Sequence, residues 1–141
     1  MKHQVRQERQ DDSIASNSET NDAIAKQCVD AAFQVHNTVG PGLLESAYET
    51  FMIAELRDRG LELQSQKPLQ VQYKSTQVEM AYRLDLVVED RVLIELKSVE
   101  NIMPIHEAQM LTYLRLSGYP LGLLINFNKQ RIKDGIKRYA I

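Results

Sequence analysis

The sequence predicts an α/β fold, with helices packed on a mixed central sheet. Three observations carry this. Apolar residues recur at helical spacing through residues 24–59. A strictly alternating segment, 78–88, is followed after a short turn by a second apolar strand. A helix opened by Pro104 then leads into the continuous apolar run Leu121–Phe127, the pattern of a buried strand. The 141 residues fit one domain. With 43% hydrophobic and 26% charged residues, neither wholesale disorder nor a membrane class is expected. No apolar run approaches the roughly 20 residues that cross a bilayer. The beginning, MKHQVRQERQDD, has no apolar signal region, so a cytoplasmic location is expected. The single cysteine, Cys28, suits a reducing compartment. The net charge of −2 excludes a globally basic nucleic-acid coat but leaves room for a local basic patch.

Residues 1–20 are polar, with Val5 and Ile14 isolated, and read as a flexible tail that buries too little to order itself. The folded domain, residues 21–141, is expected to open with Asn21 as a helix cap. Ile24, Cys28, Ala31 and Val35 then mark a first helix to about Asn37, with Cys28 as a buried packing thiol. Gly40-Pro41-Gly42 breaks the chain. A second helix covers Leu44 to Arg59, with Leu44, Ala47, Tyr48, Phe51 and Ala54 on one side and Gly60 as its stop.

Alternating segments follow. Leu61/Leu63 and Leu69/Val71/Tyr73 are separated by Pro68, and Lys74-Ser75-Thr76 suggests a turn. Val78, Met80, Tyr82, Leu84, Leu86 and Val88 place one face of a long strand in the core. Glu89-Asp90-Arg91 turns into the strand Val92–Lys97. Pro104 suits the first turn of a third helix, ending near Ser117 before Gly118. At the end, Asp134-Gly135 reads as a hairpin turn while Ile132 and Ile136 suit a helix, and both readings stand.

The chemistry lies in YRLDLVVEDRVLIELK. A turn at residues 89–91 makes Val88 face Val92, Leu86 face Ile94 and Leu84 face Leu96, an apolar ladder. On the other face Val87 meets Leu93 and Asp85 meets Glu95, with Lys97 diagonal to Asp85. Carboxylates directly opposite stand roughly 5 Å apart at Cβ and destabilise a sheet. Lys97 and Arg83 compensate in part; a divalent cation does so better. Hard oxygen donors suit Mg²⁺ or Mn²⁺. Such an ion polarises a phosphoryl oxygen and lowers the pKa of a bound water, which Lys97 could orient or deprotonate. The competing reading is a solvated charged ribbon worth roughly 0–1 kcal/mol per surface pair. The opposed Asp85, its apolar neighbours Val87 and Leu93, and the lack of a cation at position 85 weigh toward a metal.

VHNTVGPGLLESAYE, YRLDLVVEDRVLIELKSVE and HEAQMLTYLRLSGYPLGLLINF resemble the GxxExxY family of the PD-(D/E)xK nuclease superfamily, over about Ala23 to Arg138. The naming motif stands as Gly42, Glu45 and Tyr48, and the superfamily core as Asp85 with Glu95-Leu96-Lys97. The resemblance implies a restriction-endonuclease-like sheet flanked by helices and metal-dependent phosphodiester hydrolysis; DNA, ahead of RNA, is the substrate expected. It implies Asp85 and Glu95 as ligands of Mg²⁺ or Mn²⁺ and Lys97 as the catalytic lysine. Glu45 would approach the same site from a helix, directly or through a metal-bound water. Gln109 and Tyr113 resemble the Q-x-x-x-Y element of RecB-like nucleases. Leu84 departs from the pattern, standing where many members have proline. The superfamily fold also serves in non-cleaving modules, so binding without catalysis is the alternative.

Other candidates have plainer roles beside functional ones. Glu45 also suits the dipole of its helix, a gain of roughly 0.3–1 kcal/mol. Gly40 and Gly42 serve the turn, and Tyr48 the core or the support of the site. His3, His36, His106 and Cys28 make no zinc pattern. His36 suits a helix C-terminus, and His106 shares a helix face with Gln109, Met110 and Tyr113. The closing KQRIKDGIKR brings Lys129, Arg131, Lys133, Lys137 and Arg138 together as a candidate nucleic-acid grip, or as a solvated basic surface. The short, near-neutral chain implies weak intrinsic affinity, hence a homodimer or an accessory protein.

Overall fold

In the computed structural model, residues 2–78 and 82–141 are described, with side chains from residue 17 onward. The elements are α1 (Lys2–Val39), α2 (Glu45–Asp58), β1 (Leu63–Leu69), β2 (Gln72–Tyr73), β3 (Thr76–Gln77), β4 (Tyr82–Val88), β5 (Val92–Lys97), α3 (Pro104–Ser117), β6 (Leu121–Asn126) and β7 (Ile136–Ala140), with a 3₁₀ turn at Ile132–Gly135 before β7. Five strands form one sheet in the order β1-β4-β5-β6-β7, and β2-β3 is a separate hairpin. Only the β5–β6 pair of the main sheet is parallel; α3 makes the crossover that a parallel pair requires.

Both sheet faces are covered. Ala25, Cys28, Ala31, Ala32 and Val35 of α1, with Tyr48, Met52 and Leu56 of α2, bury Leu86, Val88, Val92, Ile94 and Leu96. On the other side Met110, Tyr113 and Leu114 of α3 cover Val87, Leu93 and Leu124. Gly122 lets α3 lie this close, since a Cβ there would stand 2.6 Å from the Met110 sulfur. Cys28 is the buried packing thiol expected of it: it is fully buried, and burial pushes its pKa up to about 12, against a small opposing pull from Arg59.

Several expectations are corrected. Asn21 does not cap a helix: α1 is continuous from Lys2, and the Asn21 side chain accepts a hydrogen bond from Arg91 (3.0 Å). Most of the expected tail falls in residues 1–16, whose side chains lie outside the described residues. The buried stripe of α2 is Tyr48, Met52 and Leu56, spaced by four, while Leu44 and Phe51 are exposed. That helix is apolar on more than one side, and packing against α1 and the sheet selects the stripe. Pro68 does not interrupt β1, because β1 is an edge strand and needs no donor there. β4 begins at Tyr82; Val78 is exposed outside it, and Met80 lies outside the described residues. Asp134-Gly135 makes no two-residue hairpin, and the helical alternative survives only as the 3₁₀ turn.

Candidate active site

The β4–β5 hairpin forms in the predicted register at Val88–Val92, Val87–Leu93 and Leu86–Ile94. There the pairing stops. Beyond Leu86, β4 continues against β1 (Lys67 opposite Leu84, Pro68 opposite Arg83), while β5 continues against β6 as far as Lys97 opposite Asn126. The two strands follow different neighbours and part. Leu84 therefore joins the α3 side and Leu96 the α1/α2 side, and they do not face each other as the sequence suggested.

The side chain of Asp85 fills the fork. Leu96 N–H donates to Asp85 Oδ2 at 2.9 Å, and Asp85 N–H to Glu95 Oε1 at 3.4 Å. The carboxylates meet across a split rather than across a ladder. Glu95 is 5% exposed. Burial, reinforced by the negative charge of Asp85, pushes its pKa up to about 9, and the nearby Lys97 only partly opposes this. Arg83 donates to the Gln66 carbonyl (3.3 Å), so its described contact is with backbone rather than with an acid.

Lys97 is held by its backbone. Its carbonyl accepts Phe127 N–H at 2.9 Å. The fully buried Asn126, its ladder partner, grips Val99 at both ends, accepting its N–H (3.1 Å) and donating to its carbonyl (2.8 Å). Sequence reasoning missed Asn126. The available signal was a lone amide inside LGLLINF, where a buried polar group must find partners.

The G-x-x-E-x-x-Y residues build a support. Tyr48 O–H donates to the Gly40 carbonyl (2.7 Å) and accepts Leu43 N–H (3.1 Å), while its ring stacks on Phe127 at 4.4 Å. Ser98, next to Lys97, donates to the Leu43 carbonyl at 2.6 Å. Gly42, at φ +96°, makes the turn between them. The start of α2 is thus fastened to the end of β5. Glu45 itself is exposed, and no group of three or more His, Cys, Asp or Glu side chains is placed to hold a metal among the described residues. The α2 acid linked to Asp85 is Glu49: Gln66 Nε2 donates to Glu49 Oε1 (2.9 Å) and to Asp85 Oδ1 (3.4 Å). Neither residue was singled out from sequence, where nothing local relates them.

On α3, the Tyr113 hydroxyl feels the acid pair: its pKa is raised by burial, then by the charges of Glu95, Tyr82 and Asp85. Gln109, one turn earlier, is exposed. His106 is engaged at the helix start, where its Nδ1 accepts Met103 N–H at 2.9 Å. His36 does not cap α1; its Nε2 donates to the Lys129 carbonyl (2.7 Å) and pins α1 to the loop after β6. The basic segment is not a single stripe. Arg131 pairs with Asp134 (3.5 Å), Lys137 with Glu107 (3.0 Å) and Arg138 with Asp22. Lys137 and Arg138 are neighbours on β7 and so point to opposite faces of the sheet. Lys129 Nζ is bound by the Glu100 carbonyl (3.0 Å) and Asn101 (3.2 Å), and Lys133 is exposed.

Two carboxyl groups forced together, one of them buried and holding its proton, form a hard-oxygen donor set that fits a small divalent cation: the ion would replace the proton and balance the two negative charges. Among the described residues no helix is long and apolar enough to cross a membrane. A search of curated proteins gives no match, and neither does a search of solved structures. The family model of the PD-(D/E)XK nuclease superfamily matches residues 22–139, from within α1 through α2, α3 and β1–β6 into β7. On that match, and with a mixed five-stranded sheet flanked by helices behind it, the chain belongs to the PD-(D/E)XK nuclease superfamily.

Proposed function

We propose that this protein is a Mg²⁺- or Mn²⁺-dependent nuclease of the GxxExxY family that hydrolyses phosphodiester bonds in DNA. The observation that carries the reading is the fork between β4 and β5, which sets Asp85 against the buried Glu95 beside Lys97. Asp85 and Glu95 would hold the ion. When bound, it would supply polarisation of a phosphoryl oxygen and a more acidic water. Lys97 orients the attacking water and offsets charge that builds on the phosphate. Tyr113, a neutral phenol, donates toward the strand being cut, and Gln109 extends that contact along α3. Glu45 faces the same approach from the exposed start of α2. Of Lys129, Arg131, Lys133, Lys137 and Arg138, the exposed Lys133 is the one available for a phosphate contact, the other four being engaged with Glu100 and Asn101, Asp134, Glu107 and Asp22.

One observation favours a second reading, a non-catalytic module that binds nucleic acid or a protein through the same cleft. No third acid stands with Asp85 and Glu95 as a group placed to hold a metal among the described residues. A cleavage assay separates the two. Single- and double-stranded DNA and RNA are incubated with Mg²⁺ or Mn²⁺, with Lys97→Ala as control. Metal-dependent cutting that the control lacks supports the nuclease; binding without cutting supports the module.

A further inference from the structure

Edge strand β1 carries a backbone outlier at Gln66. Its φ is +51°, in the left-handed region, although its neighbours keep register, Ser65 opposite Leu86 and Lys67 opposite Leu84. A residue with a Cβ holds that conformation under strain, and such strain persists mainly where surrounding contacts impose it, often at functional sites. The contacts are visible. The Gln66 carbonyl accepts from Arg83 (3.3 Å), and its amide donates to Glu49 (2.9 Å) and to Asp85 (3.4 Å). With Leu96 N–H on its other oxygen, Asp85 is held at both ends of its carboxylate.

A primary amide suits this place. Its two N–H groups can serve two carboxylates at once. An acid in its position would add a third negative charge, and a lysine would compete with a cation for the same oxygens. We propose that Gln66 is a positioning residue: it fixes the Asp85 carboxylate and joins Glu49 to the same hydrogen-bonded unit, so that Glu49 is the α2 acid coupled to the centre. The part of this that concerns turnover rests on the nuclease reading above; the part that concerns Asp85 does not.

The test uses Gln66→Gly and Gln66→Leu in the full chain. Glycine removes the amide and relieves the left-handed strain, so that variant should fold at least as well as wild type. Leucine removes the donors and keeps the bulk. For both, Mn²⁺ affinity measured by calorimetry should fall about tenfold or more, the size of effect expected when a ligand loses its outer partner. In DNA cleavage kcat should fall by a similar factor while KM stays within about twofold. In EDTA, Gln66→Leu, Asp85→Ala and the double variant form a melting cycle. The shift caused by Gln66→Leu should shrink once Asp85 is alanine.

Mn²⁺ affinity and kcat within about twofold of wild type for both variants would overturn the proposal, as would an additive melting cycle. If wild type neither binds Mn²⁺ nor cuts any substrate, the nuclease reading fails and the cycle alone decides. Coupling then keeps Gln66 as the positioner of Asp85, and additivity rejects it.

Discussion

Asp85 Oδ2 accepts Leu96 N–H at 2.9 Å, which gives a side chain the place of a backbone acceptor where β4 and β5 part. The carboxylate lets the strands separate without leaving that N–H unpaired, and the separation brings Asp85 and Glu95 together. One acid thereby serves the fold and the candidate chemistry.

Asp85→Asn, Glu95→Gln and Lys97→Ala should each cut turnover by at least about a hundredfold while the fold survives. The three act as one unit, so the triple variant should be little slower than the worst single one. Circular dichroism checks the fold and the cleavage assay the rate. Equal cleavage by wild type and all three would identify a contaminant.

Glu95 sets a pH dependence of stability. Its pKa of about 9 in the folded protein lies above the ordinary carboxylate value, so folding favours the protonated form. That contribution is full below the unfolded value of about 4.3 and is lost as the pH rises through the folded one. Metal-free wild type should therefore melt progressively lower from pH 5 toward pH 9, and Glu95→Gln should flatten the decline. Mn²⁺ affinity should rise over the same window, because binding displaces the proton. A wild-type decline no steeper than that of the variant would show that Glu95 is ionised throughout.

Asp85→Asn should separate the structural role of the carboxylate from metal binding. In EDTA near neutral pH Glu95 holds its proton, so the change relieves no like-charge repulsion. It leaves an oxygen for Leu96 N–H but turns an amide N–H toward the Gln66 donor, so the variant should melt at or somewhat below wild type. In millimolar Mn²⁺ the gap should widen, since only wild type gains roughly 2.7 kcal/mol at a hundredfold excess over Kd. The same loss of stability with and without metal would make Asp85 purely structural.

Tyr48→Phe should keep the stack on Phe127 and release the 40–43 turn, leaving the Gly40 carbonyl and Leu43 N–H without their partner. A loss of about 1–3 kcal/mol by denaturant titration is expected. If the turn helps to place Glu45 and Lys97, turnover should fall further than stability explains. An unchanged midpoint would show that water replaces the hydroxyl without cost.

Much of this was legible along the chain because it depends on local spacing. Alternation through Leu86 and Val88, with the short turn at Glu89–Arg91, determined the three β4–β5 pairs and hence that Asp85 and Glu95 come close. Pro104 and Gly118 bounded α3, and the run from Leu121 marked β6. The tertiary structure decided the rest. Where β4 leaves β5 depends on β1 and β6 claiming their outer edges, competing partners that no local pattern records. The buried stripe of α2 moved to Met52 and Leu56 because long-range packing outweighs a periodicity several apolar residues could satisfy. Glu49, Gln66 and Asp85 lie on three different elements, and Asn126 on β6 finds its partner in Val99 of the loop that follows β5. Partners of this kind are set by the requirement that buried polar groups be satisfied by whatever the folded chain brings within reach, and that reach exists only once the sheet has formed.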